Sequence, residues 1–171
     1  MPHWVQGVRA AGRAVLYGDA QEALMGGIVM LKEDRKTVER LFKQFEKAGD
    51  DAHAEKRQIA DQVIDELTTR TWIEEKIFHP AARKAAPDTK DHVLESIEEH
   101  HVVLWMLSES KRLDPKDERF DAKMSVLMEN VRHHVEEEEK EWFPDVRKAM
   151  GRNRLIETRR TDGKREEEGP G

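Results

Sequence analysis

Between residues 28 and 142 the apolar side chains recur at alternating steps of three and four, the spacing that lines up one side of an α-helix. Four such stripes follow one another. The first is Ile28, Leu31, Arg35, Val38, Phe42 and Phe45, and the second Ile59, Val63, Leu67, Arg70, Glu74 and Ile77. The third is Val93, Ile97, His100, Leu104 and Leu107, and the fourth Met124, Leu127, Val131, His134, Glu138 and Trp142. Turn-forming stretches separate them: AGDDAH at 48–53, APDTKD at 86–91 and LDPKDE at 113–118. Connections this short run neighbouring helices antiparallel, so the expected fold is all-α, an antiparallel up-down-up-down four-helix bundle.

Each stripe is interrupted near its middle by ionisable residues, and in an antiparallel bundle those interruptions meet at one level of the core. A charged group there costs several kcal/mol unless it is paired or binds a metal. Glu138 illustrates the point, because it lies in the run EEEE at 136–139 yet shares a helix face with Val131 and His134.

The chain also repeats itself. TRTWIEEKIFHP at 69–80 matches HHVEEEEKEWFP at 133–144 with an offset of 64, so Arg70 falls on His134 and Glu74 on Glu138. KEDRKTVERLF matches IEEHHVVLWML with an offset of 65, and Arg35 falls on His100. Two half-sites follow: His100, His134 and Glu138 in one, and Arg35, Arg70 and Glu74 in the other. His134 and Glu138 lie four residues apart on one helix face and can reach one ion. Nitrogen and oxygen donors of this kind suit iron, manganese or zinc.

The segments LKEDRKTVERLFKQFE, IEEKIFHP, SIEEHHVV and HHVEEEEKEWFP together resemble the hemerythrin-like proteins with an HHE cation-binding domain, over about residues 26–150. The resemblance implies a four-helix bundle around a non-haem di-iron centre and a role in handling oxygen, peroxide or nitric oxide, in iron sensing or in redox stress. It supports Glu74, His100, His134 and Glu138 as metal ligands. The pattern fails where the first-helix EDHK reads EDRK and where the second-helix His is Arg70; both losses fall on the same iron.

Arginine is permanently protonated and offers only donors, so it cannot replace imidazole as a ligand. It can hold carboxylates through charge-assisted hydrogen bonds, and Arg35 and Arg70 are expected to pair with Glu74 and Glu138. Two versions of the site follow: one ion, rather than two, beside a guanidinium pair, or a metal-free polar network with two core histidines.

Other residues carry blander expectations. His101 and His133 step round to the helix boundary or surface; His3, His53 and His92 sit at ends or loops and should be exposed. His79 is expected to pack beside Pro80, and Trp72, Trp105 and Trp142 to be packing residues. Pro80 and Pro144 should kink or end their helices.

Composition narrows the rest. The 171 residues carry 36 acidic and 30 basic side chains, interspersed, which disfavours nucleic acid as a partner. No cysteine is present, so thiol catalysis and thiolate metal sites are excluded, which fits a reducing compartment without proving one. No apolar run approaches a membrane span, leaving the cytoplasm as the expected location. Residues 1–25 read as an N-terminal arm, amphipathic over 3–17 but interrupted by Gly7 and Gly12, residues 26–150 as the bundle, and residues 151–171 as a charged disordered tail.

The expected function is metal-dependent binding or sensing of iron, dioxygen, peroxide or nitric oxide. The alternatives are a peroxide-decomposing non-haem iron enzyme and a metal-free interaction module. No nucleophile triad, phosphate loop or HExxH motif points elsewhere.

Overall fold

The computed structural model describes residues 20–152, so most of the expected N-terminal arm and C-terminal tail lies outside the described residues. Helix α1 spans Ala20–Lys47, beginning upstream of the boundary expected at residue 26. Helix α2 (His53–Ile73) runs through a wider turn at Glu74–Phe78 into α3 (His79–Ala85). A 3-10 turn, Pro87–Thr89, leads into α4 (Lys90–Arg112). Helix α5 (Phe120–Glu137) likewise passes through a wider turn at Glu138–Trp142 into a final helical stretch, α6, over 143–152. The rods α1, α2–α3, α4 and α5–α6 form the bundle, with α1 packed on α2 and α3, and α4 on α2 and α5.

Aspartates shape one of the connections: Lys116 N–H donates to Asp114 Oδ1 at 2.8 Å and Arg119 N–H to Asp117 Oδ1 at 2.9 Å. These local bonds give the backbone an alternative to helix, which is why the chain turns there. Among the described residues no helix is long and apolar enough to cross a membrane.

The core divides into two apolar clusters. One gathers Val38, Phe42, Phe45, Val63, Leu67 and Leu127 with their neighbours; the other gathers Leu24, Ile28, Leu31, Phe78, Trp142 and Phe143 with theirs. The ionisable residues Arg35, Arg70, Glu74, His100, His134 and Glu138 are buried at positions between these two sets on every rod.

The two wider turns are π turns, in which His79 N–H donates to Glu74 O and Phe143 N–H to Glu138 O. They recur at the repeat offset of the sequence. Each inserts the equivalent of one residue, and this corrects two expectations. Pro80 and Pro144 do not end their helices: the hydrogen-bond ladder has already been widened, and Pro80 falls in the first turn of α3, where its missing N–H is not needed. The buried stripe also slips by one position, so Phe78 is buried and Ile77 is only half-buried.

The tryptophans differ as well. Trp142 is buried, but Trp72 and Trp105 are 54% and 60% exposed, with Lys123 Nζ lying 5.5 Å from the Trp105 ring centroid. Both sit on helix faces turned away from the stripe.

Candidate metal centre

Four rods contribute to one buried polar layer. Arg35 comes from the middle of α1, Arg70 from the last turn of α2, Glu74 from the first π turn, His100 from α4, His134 from α5 and Glu138 from the second π turn. The structure brings these six residues together, and no described rod lacks a member.

The arginines hold the two central carboxylates. Arg70 Nε donates to Glu74 Oε1 at 2.7 Å, and Arg35 Nη2 donates to Glu138 Oε2. Arg35 Nη1 reaches outward to Glu139 Oε1 at 2.7 Å, and its guanidinium lies 4.8 Å from the centroid of the Phe143 ring. Arg70 Nη2 stands 3.9 Å from Glu138 Oε2.

The histidines approach the same carboxylates from the other side. His100 Nε2 lies 3.0 Å from Glu74 Oε2, and His134 Nε2 lies 3.9 Å from that atom and 3.4 Å from Glu138 Oε1. Their outer nitrogens are already engaged: His100 Nδ1 with Glu75 Oε1 at 3.2 Å, and His134 Nδ1 with Glu99 Oε2. A histidine held at Nδ1 by a carboxylate presents Nε2 to the centre in a fixed orientation, as metal-ligating imidazoles do.

In the layer Arg35 Nε, Arg70 Nη1 and Nη2, Glu74 Oε2, His134 Nε2 and Glu138 Oε1 remain without hydrogen bonds, and three of these, Glu74 Oε2, His134 Nε2 and Glu138 Oε1, are potential ligand atoms. Glu74, His134 and Glu138 offer ligand atoms within 4.8 Å of one another. Buried polar atoms are nearly always satisfied, so three that converge fit a cation as their common partner. The donor set fits one ion at this position. At Arg35 and Arg70 it does not fit, because guanidinium has no lone pair to give.

Electrostatics follow from this arrangement. Burial would raise the Glu74 carboxyl, but Arg70 and the His100 and His134 imidazoles hold it well below the usual carboxylate range. Glu138 is pushed up by burial and by the neighbouring Glu74 charge, against the pull of His134, Arg35 and Arg70. Burial opposes protonation of His134, yet Glu74, Glu99 and Glu138 bring it up to about 10. Burial takes His79 down to about 4.

Three participants escape a reading of the stripes. Glu75 and Glu99 anchor the two imidazoles, and the repeat was their only signal: Glu75 aligns with Glu139, which anchors Arg35. His79 is the third. It is fully enclosed, stacks on His100 with ring centroids 5.4 Å apart and planes 15° apart, and forms a second potential ligand group with Glu74 and His100. The extra residue of the π turn carries it inward, which a 3.6-residue period does not foresee.

The remaining histidines lie outside the layer. His101 and His133 are exposed and pair with Glu98 and Glu137 on their own helices, at 3.3 and 3.1 Å. His53 and His92 are half-buried rather than exposed, because His53 Nδ1 meets Pro115 O at 3.1 Å and His92 Nε2 meets Asp145 Oδ2 at 3.4 Å. His3 is outside the described residues.

Comparison with known families returns the Hemerythrin HHE cation binding domain over residues 26–146. No curated protein and no solved structure matches the chain.

Proposed function

Because the chain belongs to the hemerythrin HHE cation-binding family, we propose that it is a degenerate member, which holds a divalent metal ion between Glu74, His134 and Glu138 with His100 beside Glu74. The observation that carries this reading is the convergence of three buried, unpartnered ligand atoms whose imidazole is oriented from behind by Glu99. Arg35 and Arg70 stand where the family's other ion would need histidines, and supply fixed positive charge in its place.

Iron is the leading candidate, with manganese and zinc compatible with the same donors. When bound, such an ion supplies Lewis acidity and, for iron, redox chemistry toward a small ligand. The chain's own contribution is orientation and exclusion of water. A cavity of about 260 Å³ adjoins the arginine side, lined by Val38, Phe42, Val131 and Val135 together with Arg35 and Arg70. Its apolar floor, rimmed by charged side chains, suits a small uncharged molecule such as dioxygen, nitric oxide or peroxide, which would reach the ion only past Arg35 and Arg70, since none of Glu74, His100, His134 and Glu138 lines the cavity.

Binding or sensing, in the cytoplasm, is favoured over turnover, since the acid–base groups lining that cavity are held in salt bridges: Glu39 on Arg132, Glu136 on Lys140 and Glu139 on Arg35. Elemental analysis of the purified protein, with an optical spectrum under reducing and oxidising conditions, tests the proposal. Metal at background level after incubation with ferrous iron would leave the metal-free interaction module as the surviving reading.

A further inference from the structure

We propose that Glu74, His79 and His100 form a second cation position, on the side of Glu74 away from the arginines, so that Glu74 is shared between two ions. The inference rests on the metal-binding reading above and adds to it a site that uses His79, a residue with no counterpart in the repeat, where position 143 is Phe.

Both imidazoles are engaged at one nitrogen by a neighbouring side chain. His100 Nδ1 is engaged by Glu75, leaving Nε2 at 3.0 Å from Glu74 Oε2. His79 Nε2 is engaged by Ser96 Oγ at 3.3 Å, leaving Nδ1 buried and without a partner. His79 therefore has one nitrogen engaged and one without a partner, whereas His100 meets a carboxylate at each nitrogen, so a cation would have to take the place of the proton between His100 Nε2 and Glu74 Oε2 while Glu75 keeps the ring oriented. The rings stack nearly parallel, and Glu74, His79 and His100 present ligand atoms within 4.8 Å of one another, all three residues being buried.

Charge permits a second ion without requiring it. Five carboxylates touch the layer, Glu74, Glu75, Glu99, Glu138 and Glu139, against the guanidiniums of Arg35 and Arg70. Formally one divalent ion leaves −1 and a second +1, while Glu75, Glu99 and Glu139 reach solvent and the buried Glu74 and Glu138 are already matched by the two arginines. A second position beside Glu74 Oε2, the oxygen that Arg70 does not hold, would stand in for the one vacated by the arginine substitutions.

The test uses the full chain, stripped with chelator and loaded anaerobically with manganese(II), read by elemental stoichiometry and by electron paramagnetic resonance. Two ions per chain with a spin-coupled signal are expected. His79→Phe, which keeps the ring stacking, should reduce the count to one and replace the coupled signal with that of an isolated ion. Ser96→Ala, a milder change that releases only the His79 hydrogen bond, should weaken the second ion roughly tenfold or more with the first unchanged. One ion in both wild type and His79→Phe overturns this inference and leaves the Glu74, His134 and Glu138 site standing. Two ions retained in His79→Phe also overturn it, and no ion in any form removes both readings.

Discussion

Arg70 and Glu74, one helical turn apart at the end of α2, form a buried ion pair in which Nε meets Oε1 at 2.7 Å. Neither group reaches bulk solvent, so each is the principal compensation for the other's desolvation. Glu74→Ala should therefore lower the stability of the chelator-treated protein by about 3–5 kcal/mol, the usual consequence of leaving one buried charge unpaired. Urea denaturation followed by circular dichroism measures it; a loss under about 1 kcal/mol would mean that the guanidinium finds water instead.

Restoring imidazole at both arginine positions should rebuild the missing ligands. The double variant Arg35→His, Arg70→His is expected to bind one more ferrous ion per chain than the wild type, measured by elemental analysis after anaerobic loading. An unchanged stoichiometry would disconnect the two arginines from the lost half-site.

At the proposed site Glu99 would act on the metal only through His134, whose Nδ1 it engages. Glu99→Ala should weaken metal binding by about 10–100-fold while leaving the ligand set intact. Competition with a chromogenic chelator reads the change, and Glu98→Ala, altering an exposed carboxylate on the same helix, is the control expected to do nothing.

Two adjacent glycines in α1 should respond oppositely to alanine. A Cβ at Gly27 would sit 2.8 Å from Phe78 Cδ2, whereas one at Gly26 meets nothing within 4 Å. Gly26→Ala should stabilise by up to about 1 kcal/mol through helix propensity. Gly27→Ala should lose more than that gain, because Phe78 is enclosed by Trp142 and Phe143 and a crowded core typically costs about 1–3 kcal/mol. Thermal melts of the two variants distinguish the cases; stabilisation by both would show that the Phe78 ring yields.

Much of the bundle was legible from the stripes, because burial of one helix face imposes a periodicity that any helix must obey. Val38, Phe42, Val63, Leu127 and Val131 are core residues in the chain as in the pattern. The interruptions at Arg35, Arg70, Glu74, His100, His134 and Glu138 were legible for the same reason: a charge in the register of the core must meet a partner there.

What the stripes could not convey was local departure from that period. The π turns at Glu74–Phe78 and Glu138–Trp142 shift the register by one, burying Phe78 instead of Ile77 and turning His79 toward His100. Their pairing across the bundle, and the approach of Glu75 and Glu99 to imidazoles on other helices, depend on distances between rods, which no single helix encodes. Periodicity along one helix determines which residues face inward; only the packing of four helices decides which inward residues touch, because contact is a property of their relative rotation and height.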